Sequence, residues 1–195
     1  MISPGRKIYM KNLLFRTTVL LAFAGLFAAC WPESANPLPP DGKVDRRLIG
    51  RWAPDSGKKG YLDILPGEGN SLKLVFLDPA GKPRDSSKGK ITTTRLKGQD
   101  YLSVVFKFDG KPLPRALAGR FSIMRYEISK EKGLRLFAMN RRMVQTDIKN
   151  GALKGSFERG PEGFITAGSR ALARYVAHKN PVKLFDNKVL FLTRK

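Results

Sequence analysis

The chain has 195 residues and a formal net charge of +21, from 37 basic and 16 acidic residues. Its single cysteine excludes a framework of internal disulfides. Its single histidine excludes a histidine-rich metal site, because metal ions in proteins need about three or four ligands.

The N-terminal segment has the pattern of an export signal. A basic stretch at residues 11–16 is followed by an apolar run at 19–27 and by small residues before Cys30. These are the parts of a secretory signal peptide, and the run is too short to cross a bilayer, which takes about 20 apolar residues. We therefore predict that residues 1–29 are removed on export. Met10 is an alternative start, since a more usual signal peptide begins there.

The residues around the only cysteine carry a more specific pattern. The sequence Phe27-Ala28-Ala29-Cys30 resembles the lipobox of bacterial lipoproteins, in which the cysteine becomes the lipidated first residue. Phe27 stands where the family usually has leucine. The resemblance implies a membrane anchor of several acyl chains (palmitate among them) on Cys30, which holds a protein stably where one chain would not. The alternatives are a secreted protein with a spare thiol or a signal anchor.

The resemblance also implies a location and a class of partner. The residue after the cysteine is Trp31 and not aspartate, which would direct sorting elsewhere. In this family the absence of aspartate at this position favours the outer membrane, facing the periplasm. Cleavage before Cys30 would remove four basic residues and no acidic one, leaving a net charge of +17. We expect anionic lipid, lipopolysaccharide or cell-wall polymer as a neighbour and, because of export, no nucleic acid. The alternative is that the positive charge serves only to keep the protein soluble.

The segment 30–43 is rich in proline. It contains four prolines between Trp31 and Lys43, a composition that favours extended, semi-rigid backbone. We predict a tether that spaces the folded domain from the bilayer, with the Trp31 ring at the membrane interface. The single folded domain is then expected to occupy residues 44–195.

Short strands are predicted for most of that domain. Apolar Leu72, Leu74 and Phe76 alternate with other residues, and Leu102 and Val104 do the same, which is the period of a strand with one buried face. Turn signals separate such stretches and indicate a mainly β chain with short helices, folded as an antiparallel barrel of about eight strands or as a sandwich. The expected strands are 48–52, 61–65, 72–76, 90–96, 102–108, 120–129, 134–139 and 189–193.

Two helices are predicted late in the chain. Asn140 is placed to cap the first, which is expected to end at Gly151. Ser169 is placed to cap the second, which is expected to end before Pro181.

The first and last strands carry a family resemblance. Gly50-Arg51-Trp52 on the first strand and Arg194 at the end of the last resemble the lipocalin-like fold, and the chain is also similar to small envelope lipoproteins of unknown function. The resemblance implies that the Arg194 guanidinium covers the Trp52 indole, a cation–π contact worth ~1–2 kcal/mol when partly desolvated. The two helices depart from a plain eight-stranded cup and leave the existence of a ligand cavity open.

The sequence offers little for catalysis and more for anion binding. The lone His178 cannot form a metal site, no serine lies in a Gly-x-Ser-x-Gly motif, and we predict no catalytic residue, metal or cofactor. Arg135, Arg141 and Arg142 lie close together in sequence and could converge on a phosphate or carboxylate group. A solvated rim is the alternative reading of these arginines.

These features together predict a non-enzymatic, membrane-anchored envelope lipoprotein. Its domain is expected to bind an anionic envelope component, or a small apolar ligand at the mouth of the barrel. The alternative is an assembly or structural partner of another envelope protein. A hydrolase that uses His178 is the least favoured reading.

Overall fold

The fold was obtained as a computed structural model. The structure describes residues 31–54, 60–107, 120–131, 133–158, 163–185 and 187–195, and the side chains among them except those of 84–87, 106–107 and 187–189. The predicted signal peptide, residues 1–29, and Cys30 lie outside the described residues.

Eight antiparallel strands close into a barrel. Their order around it is β6-β5-β4-β3-β2-β11-β8-β7, and β7 pairs with β6 to complete the circle. Closure removes the free sheet edges that an open sheet would expose. The prediction of a mainly β chain with an antiparallel barrel of about eight strands is therefore confirmed. The strands are β2 Gly50–Pro54, β3 Tyr61–Pro66, β4 Leu72–Leu77, β5 Pro83–Leu96, β6 Gln99–Lys107, β7 Phe121–Ser129, β8 Gly133–Ala138 and β11 Asn187–Arg194.

Alternate residues of each strand point into the barrel. Trp52, Leu62 and Phe76 lie side by side on β2, β3 and β4, and Leu102 lies beside Met124 on the facing wall. All five side chains are buried, so large apolar groups fill the interior between these strands. Residues 55–59, between β2 and β3, and residues 108–119, between β6 and β7, lie outside the described residues.

A second core lies outside the barrel wall. Tyr101 and Ile123 alternate with inward-facing Leu102 and Met124, so their side chains point outward. Three helices cover them: α1 Arg141–Lys149, α2 Ser169–His178 and α3 Pro181–Leu184. The Tyr101 ring lies 5.3 Å from the ring of Phe185, which follows α3. The buried residues of this outer core include Leu38, Val144, Ile165, Leu172, Val176 and Leu184.

The helix starts match the sequence in one case and differ in another. The Asn140 side chain accepts a hydrogen bond from the backbone N–H of Met143 and caps α1, as its position predicts. The second helix is capped by Gly168, and Ser169 is its first residue, so the predicted Ser169 cap is wrong. Asn180 caps α3, which the sequence did not predict because the helix is only four residues long.

The Pro-rich segment packs onto the barrel, which corrects the predicted tether at 30–43 and the predicted domain start near Val44. Strand β1, Glu33–Ser34, pairs antiparallel with β7 and parallel with strand β10, Phe164–Ile165. Leu38 is fully buried, and its backbone N–H donates to the Ser103 hydroxyl at 3.0 Å. Proline cannot donate from its backbone, and side chains of the barrel wall complete the hydrogen bonding of this segment instead.

Two short strands extend the sheet beyond β1. They are β9, Gly155–Ser156, and β10, Phe164–Ile165, and β9 ends the strand order. Phe164 lies beside Glu33 of β1 on one side and beside Ser156 of β9 on the other. The sheet therefore continues from the barrel wall to a short outer edge at β9.

Candidate anion-binding groove

The residues that carry the family resemblance lie at one end of the barrel. Arg194 Cζ lies 4.9 Å from the centre of the Trp52 ring. The Arg194 Nη2 group donates to the carbonyl oxygens of Arg47 at 2.6 Å and Ile49 at 3.2 Å, and the Trp52 indole N–H donates to the Leu48 carbonyl at 2.8 Å. Arg47 and Leu48 belong to the 3-10 helix Arg46–Leu48, so Arg194 and Trp52 together fix this helix across the barrel end.

A polar cluster seals the same end. Asp45 accepts hydrogen bonds from the Tyr126 hydroxyl at 2.9 Å and from Arg47 at 2.7 Å, and Arg47 also reaches Asp100. Burial alone would raise the pKa of Asp45, but the hydrogen bonds from Arg47 and Tyr126 outweigh it and hold this pKa below its usual value. Burial, together with the bond to Asp45, raises the pKa of Tyr126. These contacts satisfy polar groups at the rim of an apolar interior, a structural role.

Arg135, one of the three arginines predicted to bind an anion, is paired within the protein. It lies opposite Glu127 on the outer face of β8 and forms an ion pair with it. Glu127 also binds Arg125 at 2.7 Å, and Arg125 Cζ lies 4.0 Å from the centre of the Phe137 ring. The carboxylate of Glu127 therefore already compensates part of the charge of Arg135.

Arg141 and Arg142 lie on a different element. They are the first two residues of α1, and Arg142 is exposed. No hydrogen bond or ion pair between described residues links them to Arg135 or to Glu127. Arg135 is thus paired with Glu127, and anion binding by Arg135, Arg141 and Arg142 stays a prediction.

The sequence did not single out Arg125, which is 7 % exposed on the outer wall. Its Nη1 group donates to Glu127, whereas its Nε has no hydrogen-bond partner among the described residues. Its guanidinium also makes a cation–π contact with the Phe137 ring. The sequence gives no sign that Arg125, which points outward from strand β7, is buried. The helices and the N-terminal segment that cover this wall are distant from it in sequence.

An open groove of about 490 Å³ lies along helix α2. Four of its lining residues, Ala171, Arg174, Tyr175 and His178, are spaced by three or four positions and so share one helix face. Ala152, after α1, lines the facing side. The two alanines leave space between the larger polar side chains.

One wall of the groove is fixed by Asp147 of α1. Its Oδ2 accepts a hydrogen bond from the Tyr175 hydroxyl at 2.6 Å and pairs with Lys179 Nζ at 2.7 Å. Burial, followed by the hydrogen bond to Asp147, raises the pKa of Tyr175, which therefore stays a donor. Asp147 thus joins α1 to α2 and neutralises Lys179 in part.

The Arg174 guanidinium and the His178 ring of the groove are exposed. Among the described residues, no carboxylate pairs with Arg174, which lines the groove beside Tyr175. His178 Nδ1 lies 2.7 Å from the Arg174 carbonyl oxygen, an acceptor only, so Nδ1 donates, and Nε2 of the neutral imidazole is then an acceptor that offers no hydrogen bond to an anion. The exposed guanidinium of Arg174 suits a phosphate or carboxylate group.

Within the described ranges, no three His, Cys, Asp or Glu side chains are grouped to hold a metal ion. In the same ranges, no helix has both the length and the apolar character needed to cross a membrane.

Comparison with known proteins gives no relative: no protein-family model, no curated protein and no solved structure matches this chain.

Proposed function

We propose that this protein is a non-enzymatic envelope lipoprotein, anchored through acyl chains on Cys30, whose domain binds an anionic component of the envelope. The observation that carries the binding role is the groove along α2, where the Arg174 guanidinium lies exposed with no carboxylate partner among the described residues. The lipobox resemblance and the +17 charge of the processed chain support the anchor and the sign of the ligand.

The anionic ligand is favoured over an apolar one. Trp52, Phe76 and Met124 are among the side chains that fill the interior between the described strands. An apolar ligand there would have to displace close-packed groups, whereas an anion on the α2 groove displaces only water. Phosphate or carboxylate groups of lipids, lipopolysaccharide or cell-wall polymers share the chemistry that Arg174 would recognise.

The anchor is tested by intact-mass analysis of protein extracted from membranes. The expected mass corresponds to a chain that begins at Cys30 and carries acyl chains. The variant Cys30→Ser should leave the membrane fraction, since nothing else in the proposal attaches the domain permanently. An unmodified mass, or a serine variant that stays in the membrane fraction as firmly as wild type, would contradict the proposal.

The binding role is tested with a water-soluble, short-chain phosphatidylglycerol and full-length protein in zwitterionic nanodiscs. We expect Arg174→Gln to weaken binding roughly tenfold, the loss of one charged hydrogen bond. Arg46→Gln is the matched control, because Arg46 is an exposed arginine on the 3-10 helix Arg46–Leu48 and does not line the groove. Equal affinity of the two variants would exclude the groove. High salt should weaken binding to wild type, because it screens exposed charges.

An assembly role is the second candidate, supported by exposed apolar side chains away from the groove. Phe191 is 46 % exposed and lies opposite Arg135 on the outer face of the barrel, and Val182 of α3 is 65 % exposed. Single exposed apolar residues are common on protein surfaces, so the assembly role needs a direct test. Cross-linking in whole cells should give one stoichiometric envelope partner that is lost in Phe191→Ser.

A further inference from the structure

The chain enters the folded domain almost immediately after the predicted anchor. Residue 30 is bonded to Trp31, and Glu33 already belongs to strand β1, which pairs with β7 and β10. Three residues span at most about 11 Å, even when extended. Glu33 is also held by an ion pair with Arg120. The surface near the start of β1 must therefore lie close to any bilayer that holds acyl chains on Cys30.

The strand register shows which residues share that surface. Ser156 of β9 and Glu33 of β1 lie on either side of Phe164, so about 10 Å separates them across two strand spacings. Strand β1 runs parallel to β10, and β9 runs antiparallel to it. The residues that precede Glu33 and the residue that follows Ser156, Phe157, therefore lie at the same end of the sheet.

This end of the sheet presents an aromatic side chain beside cations. Phe157 is 37 % exposed, and Lys149 Nζ of α1 lies 5.9 Å from the centre of its ring. Lys154, at the other end of β9 and about 10 Å along the strand from Phe157, is exposed as well. Arg142 is exposed and lies seven positions before Lys149, on the same face of α1. Aromatic rings and cations in this combination suit the boundary between headgroups and acyl chains.

The acidic residues nearby do not reverse the sign of this surface. Glu33 is neutralised by Arg120, and Glu158 is an exposed carboxylate next to Phe157. The two lysines Lys149 and Lys154 outnumber Glu158, so the described part of the surface carries a net positive charge.

We propose that the β9 edge, defined here as Lys149, Lys154 and residues 155–158, lies against anionic phospholipid headgroups with the Phe157 ring in the interface. This orientation rests on the proposed anchor at Cys30. This orientation leaves the β7–β8 hairpin farther from the membrane than the β9 edge, because β7 lies three strand positions, about 14 Å, from β9 in the sheet order.

A pair of matched cysteine variants tests the orientation. Glu158→Cys places a thiol on the β9 edge and Glu131→Cys places one on the β7–β8 hairpin, and both replace an exposed glutamate. Each lipidated, full-length variant is labelled with a fluorescent maleimide and reconstituted into vesicles of phosphatidylglycerol and phosphatidylcholine that contain nitroxide-labelled lipid. We expect the label at position 158 to be quenched at least about twofold more than the label at 131. Equal quenching, or stronger quenching at 131, would overturn the orientation.

The unmodified chain separates this failure from failure of the anchor. Cys30 is the only cysteine, so wild-type protein from membranes should not react with the maleimide if the thiol carries a lipid. Labelling of wild type would overturn the proposed function, whereas an unlabelled wild type with equal quenching would overturn the orientation alone.

The role of charge is tested in the Glu158→Cys background. Lys149→Gln should reduce the difference in quenching between phosphatidylglycerol vesicles and pure phosphatidylcholine vesicles, because Lys149 lies beside Phe157. Lys130→Gln, on the hairpin, is the control and should leave the difference unchanged. A difference that survives Lys149→Gln, or an equal loss in the control, would show that this edge does not contact anionic headgroups through Lys149.

Discussion

Replacing Arg194 by methionine should destabilise the barrel at the end closed by the 3-10 helix. Methionine keeps part of the aliphatic stem of Arg194 and removes its guanidinium. That group donates to the carbonyl oxygens of Arg47 and Ile49 and lies 4.9 Å from the centre of the Trp52 ring. The substitution therefore removes the hydrogen bonds that the carbonyl oxygens of Arg47 and Ile49 accept from Arg194, and water must replace them. It also exposes one face of the Trp52 indole to solvent.

The size of the effect follows from these contacts. A cation–π contact at an exposed site is worth ~0.5–1 kcal/mol. Each hydrogen bond contributes ~0.5–1.5 kcal/mol net, toward the lower value here because Arg194 is exposed and water can replace it. We expect the free energy of unfolding to fall by about 2 kcal/mol and the midpoint temperature by roughly 4–8 °C for a domain of this size.

Urea unfolding of the purified protein, followed by tryptophan fluorescence, measures this loss, since Trp52 is 1 % exposed in the folded state. Arg194→Lys should lie between wild type and methionine, because lysine keeps the charge without the planar fork. Arg46→Met is the control: Arg46 is exposed on the same 3-10 helix, and its variant should stay within about 0.5 kcal/mol of wild type. Equal urea midpoints for Arg194→Met and Arg46→Met would refute the reasoning.

Three further substitutions test other parts of the fold. Leu38→Ala should lower the free energy of unfolding by about 2–4 kcal/mol, because this side chain is fully buried, and a loss below about 0.5 kcal/mol in urea unfolding would mean that the Pro-rich segment is not packed. Gly133→Ala should be far more destabilising in thermal melts than Gly98→Ala: both glycines have positive φ, but a Cβ at Gly133 would lie 2.3 Å from a carbonyl oxygen of β11, while one at Gly98 meets no atom within 4 Å. The stability that Asp45 contributes is complete above its usual pKa near 4 and is lost as the pH falls through its lowered folded pKa. The loss of unfolding free energy in Asp45→Asn, relative to wild type, should therefore be largest at neutral pH and should shrink below about pH 4. An unfolding deficit for Asp45→Asn that does not change between neutral pH and pH 3 would contradict that assignment.

Local patterns predicted the strands and one helix well, for a reason visible in particular residues. The alternation of Leu72, Leu74 and Phe76 marks a strand with one buried face, and β4 covers all three. Asn140 carries the cap of α1 in its own side chain, so its role needs no distant partner. Ser169 has the same capping chemistry, but Gly168 occupies the cap position, which shows that such boundaries are uncertain by a residue.

The candidate groove could not be predicted in the same way. Arg174 and His178 share a helix face by spacing alone, but the groove also needs Ala152 and the Asp147 bond to Tyr175 from another helix. Sequence proximity did not reveal the carboxylate partner of Arg135, because it is the register of β7 and β8 that places Glu127 opposite it. Glu127 lies eight residues before Arg135 in the sequence, and the hairpin between them brings the two side chains together.

By itself, the sequence determined the periodicities that give a barrel of short antiparallel strands and the large excess of positive charge, because both are properties of residues and their immediate neighbours. The tertiary structure alone decided that the Pro-rich segment packs against the wall instead of standing free. Leu38 has no local reason to be ordered. It is buried because Ser103 and the outer core, distant in the chain, provide both a hydrogen-bond acceptor for its backbone and an apolar site for its side chain.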